Sequence, residues 1–314
     1  MATRRSSKGP AAAALPRERR AHYPIAIVGP GALGLHYAAR LARVMPTALV
    51  ARSTARAAQL RAGVTVGARR LRPHAYGPEN LPSADWVIIL VKAQDSLPAA
   101  RVAARMAPKG VLSLQNGLVE ELLRKRLAGI RAAQGVTTEG AYRERGRIVP
   151  AGHGETLMPR GYAPLARMLR RAGFEVRIER DLAAARLRKL LVNVSINPVA
   201  ALFRVPNGRV IEAPYAHFAR ELTDEAAAVL AAEGLRIGAT QAWERVVAVA
   251  RATANNRASM LQDIVAGRRT EIDFLTGALI RLAARHRIAV PTHRAFYRLI
   301  RLLEQSKSER RAAT

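Results

Sequence analysis

The chain has 314 residues, of which 49% are hydrophobic, so it is long enough for two domains with a substantial core. It has no cysteine, which excludes disulfides, thiolate metal ligands and a cysteine nucleophile and is typical of a reducing cytoplasm. No apolar run reaches the roughly 18 residues that a membrane span needs. The seven histidines show no metal-ligand spacing, and no metal site is predicted.

The formal net charge is +29, and all but six of the 52 basic residues are arginine. Clustered cations bind nucleic acid by releasing counterions from phosphates. Here the arginines are spread along the whole chain, and aromatic residues make up only 4%, which leaves few stacking platforms for bases. The charge therefore favours attraction of small anions, with nucleic-acid binding as a remote alternative. Lysine can be tuned to donate a proton more readily than arginine, which makes Lys92 and Lys189, each after an apolar segment, candidates for chemistry.

The N-terminal half alternates short apolar strands with helices. Strands are predicted at 25–28, 47–51, 64–66, 86–91 and 111–114, with helices such as 97–106 between some of them. This alternation indicates a parallel sheet covered on both faces. Residues 135–180 are expected to add strands and one helix around 162–172.

From about Asp181 the pattern becomes almost entirely helical, with helices predicted at 182–203, 211–234, 240–266, 270–286 and 292–305. The predicted fold class is α/β followed by an all-α domain. We expect the first domain at 23–181 and the second at 182–305. The basic segment 1–22 and the polar segment 306–314 are predicted to be disordered tails.

The sequence GPGALG follows the first predicted strand and opens a helix. Gly29 allows a tight turn, Gly31 lets a pyrophosphate approach the backbone, and Gly34 lets helix and strand pack closely. The free N–H groups of the helix N-terminus then face the phosphates. This predicts a dinucleotide-binding turn formed by Gly29, Pro30, Gly31, Ala32, Leu33 and Gly34; the alternative is a plain strand–helix turn.

Arg52 stands at the end of the second predicted strand, in VARST. An acidic residue at this place would read the ribose hydroxyls of NAD, whereas an arginine suits the 2′-phosphate of NADP. The position therefore favours NADP. The alternative is that Arg52 is one more arginine in an arginine-rich chain.

The segment LRKLLVNVSINPVAAL at 187–202 places Lys189, Asn193 and Asn197 four residues apart, and hence on one face of a helix. Polar side chains inside an apolar helix cost stability unless they are paired or face a cleft. Pro198 frees a backbone carbonyl that Asn197 could satisfy, but this explains one residue of three. A polar stripe facing a cleft is therefore favoured.

Further polar residues lie at predicted strand and helix ends. Lys92 and Asn116 each follow a buried strand, where ligands bind in open parallel sheets, although both could simply cap loops. Glu271 falls in the first turn of a predicted helix, where the helix dipole favours a carboxylate. The residues alone thus indicate a structural role for Glu271.

The order and spacing of several segments resemble the ketopantoate reductase (2-dehydropantoate 2-reductase) family over residues 23–305. These segments are GPGALG, LVKAQD, LQNG, GVTTEGA, RKLLVNVSINPVAAL, VPNG and SMLQDIVAGRRTEID. The resemblance implies a Rossmann-type dinucleotide-binding domain for NADPH, an all-helical domain, and an active site between them. It implies reduction of ketopantoate to (R)-pantoate for pantothenate and coenzyme A synthesis, with another 2-oxo acid as the alternative substrate.

The resemblance also implies roles for individual residues. Lys189 would be the proton donor, and Glu271 would lie close to both the cofactor and that lysine, which reverses the structural interpretation above. Besides the dinucleotide-binding turn and Arg52 predicted above, the implied cofactor contacts are Lys92, Asn116, the backbone at Ala141, and Glu271. The implied substrate contacts are Asn116, Asn193, Asn197, Asn207, Asn256 and Ser259. We expect a cytoplasmic enzyme without a membrane partner, whose apolar helical domain could support a homodimer.

Overall fold

The strands and helices of the protein are given by a computed structural model, which describes residues 20–152 and 154–312, the side chains of 307–312 excepted. The strands are β1 (His22–Val28), β2 (Thr47–Val50), β3 (Val64–Val66), β4 (Arg69–Leu71), β5 (His74–Tyr76), β6 (Ser83–Ile89), β7 (Gly110–Ser113), β8 (Ala132–Gln134), β9 (Val136–Thr137), β10 (Ala141–Glu144), β11 (Arg147–Pro150), β12 (Glu155–Met158) and β13 (Glu175–Ile178). The helices are α1 (Ala32–Leu41), α2 (Thr54–Arg61), α3 (Ser96–Ala104), α4 (Glu120–Arg126), α5 (Ala163–Arg171), α6 (Leu182–Phe203), α7 (Ala216–Ala232), α8 (Ala239–Ala252), α9 (Ser259–Val265), α10 (Thr276–Arg285) and α11 (Pro291–Ala312).

The first domain is built on a six-stranded sheet in the order β5-β2-β1-β6-β7-β8, with every pair parallel. Apolar side chains alternate between its faces: Ile25 and Ile27 pack in one core, and Ala26 and Val28 in the other. The strand order reverses between β1 and β6, and in such sheets ligands bind beyond the carboxyl ends of the strands at that point. The predicted α/β class with a Rossmann-type first domain is confirmed.

Two smaller sheets flank the first domain. One has the order β10-β11-β3-β4, and the other has the order β13-β12-β9. In the second, β9 pairs antiparallel with β12 through only two residues, Val136 and Thr137. Strand β9 carries Thr137 towards the helical domain.

The second domain is organised around α6, which packs against α7, α8, α9 and α11. The Asp181 carboxylate caps α6 by accepting a 3.0 Å hydrogen bond from the backbone N–H of Ala184. The helix continues through Pro198 to Phe203, and Leu190, Leu191 and Val194 are buried in the helical core. Within the described residues, no helix combines the length and hydropathy of a membrane span.

Two of the predicted helices differ from the observed ones: one begins later and the other is split. The helix predicted at 211–234 begins only at Ala216, because Pro214 lacks an N–H and disfavours helical backbone before it. The helix predicted at 240–266 is split into α8 and α9. The helix is interrupted between them because two backbone carbonyls accept hydrogen bonds from another segment. The Ala254 carbonyl accepts from the Gly208 N–H, and the Asn256 carbonyl accepts from the Asn207 N–H.

Three predicted boundaries also differ. The helix predicted at 270–286 begins at Thr276, since Thr270 is engaged by Glu304 rather than capping a helix. Helix α11 extends to Ala312, well into the predicted tail, because 306–312 contains no glycine or proline to end it. At the other end, residues 20–22 of the predicted disordered tail are described, and the Arg20 guanidinium donates to the Leu81 and Arg105 carbonyls. The rest of the predicted basic tail, 1–19, lies outside the described residues.

Candidate active site

The glycine turn closes tightly on β6 and leaves one side open. Gly29 has φ +113°, and a Cβ there would meet the Leu90 backbone at 2.8 Å. A Cβ on Gly34 would overlap the carbonyl oxygen of Gly29. Gly31 is exposed, and a Cβ there would have only the Leu90 carbonyl, at 4.0 Å, beside it among the described atoms. Two glycines thus hold the turn against the sheet, and the third keeps its outer side accessible.

Helix α1 starts immediately after this turn. Among the described residues no side chain caps its N-terminus, so the first-turn N–H groups, including those of Ala32 and Leu33, face outwards. Pro30 is half-buried within the turn. An open glycine and uncapped amides at a helix N-terminus fit a pyrophosphate.

Arg52 lies beyond β2 and is exposed, with no side-chain partner in the described part of the chain. The next residue, Ser53, caps α2 by accepting a 3.2 Å hydrogen bond from the Arg56 backbone. Burial lowers the pKa of Arg143, and the nearby guanidinium groups of Arg56 and Arg268 act in the same direction. Positive charge from both domains is therefore gathered beyond β2.

Lys189 projects from α6 towards the first domain. Its Nζ donates a 2.7 Å hydrogen bond to the carbonyl oxygen of Thr137 in β9. Burial lowers the pKa of Lys189 to about 8, an effect that the carboxylate of Glu271 partly opposes. The side chain is thus held across the domain boundary with a pKa close to neutrality.

A narrow cleft between the domains contains Lys189 and Asn193. Its other polar lining residues are Gln115, Asn116, Gln134 and Arg186. Asn197 lies one turn further along α6, buried and outside this lining, and no hydrogen bond joins its side chain to the described residues. The structure brings together Lys189, Asn193 and Asn116 and places Asn197 beside them on the same helix.

Glu271 joins the two domains. Its Oε1 accepts a 2.9 Å hydrogen bond from the backbone N–H of Ala93, and its Oε2 accepts one of 3.0 Å from Asn116 Nδ2. The residue-based expectation that Glu271 lies in the first turn of a helix is wrong, because α10 starts at Thr276. Glu271 lies in a loop, and its carboxylate reaches the residues that follow the carboxyl ends of the parallel strands.

Lys92 forms a second connection between the domains. Its Nζ donates a 2.7 Å hydrogen bond to the Arg269 carbonyl and lies 2.5 Å from Asp263 Oδ2. The Asp263 side chain is only 9% exposed and also accepts from Arg268 at 3.0 Å. Gly267, at φ +61°, ends α9 and lets the Arg268 N–H bond back to the Asp263 carbonyl. Lys92 therefore fixes the loop that leads to Glu271.

Asn207, Asn256 and Ser259 belong to the helical domain and lie outside the lining of the interdomain cleft. Asn207 Nδ2 donates to Thr253 Oγ1 at 2.9 Å, and its backbone N–H donates to the Asn256 carbonyl at 3.0 Å. Asn207 Oδ1 is buried without a hydrogen-bond partner among the described residues. Ser259 is the exposed first residue of α9, which packs on α6. In the described structure no hydrogen bond joins this group to Lys189.

Ala141, predicted as a cofactor contact, begins β10 opposite Pro150.

Two residues at the site were not identified from the sequence. Thr137, the partner of Lys189, was not singled out, although it lies in the segment GVTTEGA. Arg186 was also missed; it binds the Glu120 carboxylate and the Gln134 carbonyl. Its position three residues before Lys189, on the same helical face, is the signal that could have identified it.

The parallel sheet, the open glycine turn at its switch point and the lysine held in the cleft define a two-domain oxidoreductase of the dinucleotide-binding type. Residues 25–161 match the family described as "Ketopantoate reductase PanE/ApbA", and residues 181–304 match "Ketopantoate reductase PanE/ApbA C terminal". The chain belongs to the ketopantoate reductase family, as the resemblance predicted.

Individual members of the family are similar to this chain over most of its length. The 2-dehydropantoate 2-reductase of Archaeoglobus fulgidus is 33% identical over 291 residues, which cover 89% of this chain and 97% of the relative. A solved ketopantoate reductase from Ralstonia eutropha JMP134 has a TM-score of 0.77 at 27% identity and covers 90% of this chain and 99% of its own. Two further structures share the fold.

The first is a D-mandelate dehydrogenase with NADH and anilino(oxo)acetate, with a TM-score of 0.82 at 20% identity. The second is a Staphylococcus aureus ketopantoate reductase described as dimeric, with a TM-score of 0.77 at 21% identity. Each covers 90% of this chain and 99% of its own.

Proposed function

We propose that this protein reduces 2-dehydropantoate (ketopantoate) to (R)-pantoate with NADPH, a reaction that serves pantothenate and coenzyme A synthesis. Membership of the ketopantoate reductase family supports the reaction. The observation that carries the proposal is the position of Lys189 in the interdomain cleft, 2.7 Å from the Thr137 carbonyl and with a pKa of about 8.

The dinucleotide-binding turn fits the pyrophosphate of a nicotinamide cofactor, through the accessible backbone at Gly31 and the uncapped start of α1. Bound NADPH supplies the hydride for the ketone carbon. Arg52 is exposed and without a partner in the described chain, which leaves its guanidinium able to bind a 2′-phosphate in bidentate fashion. This supports NADPH over NADH as the cofactor.

Lys189 acts as the general acid. Negative charge develops on the ketone oxygen during reduction, and the ammonium group stabilises that charge and donates a proton. A pKa of about 8 keeps Lys189 mostly protonated at neutral pH. It also lets the side chain give up its proton more easily than an exposed lysine would. The Thr137 carbonyl accepts one N–H of Lys189 and so orients the other two.

Glu271 supports Lys189 in two ways. Its negative charge favours the protonated form of the lysine, since it raises the pKa that burial lowers. Its hydrogen bonds to Ala93 and Asn116 also hold the helical domain against the sheet. We assign Lys92 and the backbone at Ala141 to cofactor binding on the resemblance alone.

The substrate contacts are neutral polar groups. We assign substrate binding to Asn116, Asn193, Asn197, Asn207, Asn256 and Ser259. Amide and hydroxyl donors bind a carboxylate without adding a second positive charge beside the catalytic ammonium. The buried Oδ1 of Asn207 lacks a donor within the described residues, and a hydroxyl group of the substrate would supply one.

The decisive experiment follows the absorbance of NADPH with ketopantoate and with 2-oxoisovalerate, which lacks the hydroxymethyl group. We expect kcat/KM to be at least about 10²-fold higher for ketopantoate, because a site that binds a hydroxyl discriminates strongly against its absence. Equal values would favour a reductase of another 2-oxo acid. No oxidation of NADPH with either ketone would contradict the proposed function.

A homodimer and a cytoplasmic location stay predictions. The Staphylococcus aureus relative supports the first. Leu299 and Leu302, exposed by 42% and 59% on α11, offer an apolar surface for self-association. Light scattering coupled to gel filtration measures the mass directly, and a monomer at micromolar concentration would exclude a stable dimer.

A further inference from the structure

A second cavity, of about 720 Å³, lies between α1, the β3–β4 hairpin and β11. Its volume falls in the range typical of small-molecule sites. None of the residues assigned above to cofactor or substrate lines it. The cavity is therefore a separate candidate site on the first domain.

Four guanidinium groups line this cavity: that of Arg40 from α1, that of Arg43 from the turn after α1, and those of Arg69 and Arg70 from β4. Two of them are engaged, since Arg40 donates to the Ala172 carbonyl at 3.1 Å and Arg70 to the Ala62 carbonyl at 2.8 Å. Within the described structure, neither Arg43 nor Arg69 has an ion pair or a side-chain hydrogen bond. Two exposed guanidinium groups, from the turn after α1 and from β4, are therefore free to bind an anion.

Negative charge near the cavity is already neutralised. Among the described residues, the carboxylate that contacts a residue of the lining is that of Glu139, whose Oε1 lies 3.6 Å from Arg40. The Glu139 side chain is only 2% exposed; it is bonded to His36 Nε2 at 3.0 Å and accepts from the Gly154 N–H. An incoming anion would thus meet the arginines and not this carboxylate.

The rest of the lining is largely apolar and comes from Ala39, Ala42, Val66, Leu71 and Pro150. A guanidinium binds phosphate or carboxylate in bidentate fashion, and the apolar wall suits the carbon skeleton that bears such groups. We propose that this cavity binds a small organic polyanion, with at least two phosphate or carboxylate groups, independently of the reductase cleft.

Isothermal titration calorimetry tests this on the full chain saturated with NADPH at physiological salt, so that the dinucleotide-binding turn is already filled. Pyrophosphate and citrate are titrated separately, to distinguish phosphate from carboxylate recognition. We expect one site per chain for at least one of them. The double variant Arg43→Ser/Arg69→Ser should weaken that binding at least about tenfold, because it removes both free guanidinium groups and their charged hydrogen bonds to the anion.

The matched control is Arg294→Ser/Arg298→Ser, which removes the same two charges from exposed positions of α11. It should retain the affinity of the unmodified chain. An equal loss in both double variants would mean that only the general positive field attracts the anion, and would overturn the proposal, as would no binding of either probe. Titration with NADPH alone reports the cofactor site separately, so a failure of the proposed function would be recognised as such.

Discussion

Lys189 Nζ and the Thr137 carbonyl oxygen are 2.7 Å apart, although the first belongs to α6 and the second to the short strand β9 of the other domain. The orientation of the Lys189 ammonium, the proposed proton donor, therefore depends on both domains. A carbonyl is a neutral partner, so it fixes the direction of Nζ without stabilising the charge as a carboxylate in direct contact would.

Replacing Lys189 by alanine should lower kcat by about 10² to 10⁴-fold, the usual contribution of a general acid. The dissociation constant of NADPH, measured by fluorescence titration, should change little, because Lys189 is not among the residues proposed to bind NADPH. Lys125→Ala, at an exposed lysine paired with Glu121, is the control and should leave both quantities unchanged. An unaltered kcat in Lys189→Ala would remove this residue from the mechanism.

The pH dependence of kcat should report the pKa of Lys189. A general acid must be protonated, so kcat should be level below a pH of about 8 and fall about tenfold per unit above it. Because the Glu271 carboxylate raises this pKa, Glu271→Gln should move the break to lower pH. A break that stays in place in this variant would show that Glu271 does not act on the lysine.

Two glycines of the dinucleotide-binding turn should respond differently to alanine. Gly34→Ala places a Cβ on the Gly29 carbonyl oxygen and should cost about 1–3 kcal/mol of stability, seen as a lower melting temperature. At Gly31 there is room for a Cβ, and φ is −71°, so the melting temperature of Gly31→Ala should stay unchanged. Its affinity for NADPH should fall at least about tenfold, since the methyl group occupies the approach of the pyrophosphate. Equal NADPH affinity in Gly31→Ala and the unmodified chain would argue against this turn as the cofactor site.

Arg52→Ala should raise KM for NADPH by about 10- to 100-fold, the effect of losing hydrogen bonds to a charged phosphate. KM for NADH should change by less than about twofold, because NADH has no 2′-phosphate. Arg160→Ala, at another exposed arginine, controls for the loss of one positive charge. Parallel increases for both cofactors would place Arg52 outside the 2′-phosphate site.

The parts of the fold that depend on local signals were predictable. Helix α6 was predicted at 182–203 and is observed at Leu182–Phe203, because its apolar periodicity and the cap at Asp181 lie within the segment itself. The break between α8 and α9 was not, since it depends on hydrogen bonds from Asn207 and Gly208, some fifty residues away in sequence. No pattern inside 240–266 contains that information.

The same distinction applies to the site. The glycine turn has a local signature, and the polar stripe of α6 follows from helical periodicity. The contact between Glu271 and Asn116 joins residues 155 positions apart, and the one between Lys189 and Thr137 spans 52. From the residues alone Glu271 was interpreted as structural, and only the family resemblance placed it near the lysine. Its carboxylate raises the pKa of Lys189, while its assigned cofactor contact stays a prediction.

Because Lys189, Asn193 and Asn197 share one unbroken helix, their spacing is set by the rise of the backbone, about 6 Å per four residues. Deleting or inserting a single residue between them would rotate everything beyond it by about 100°. Engineering of altered selectivity in α6 is therefore confined to exchanges of side chains at fixed length.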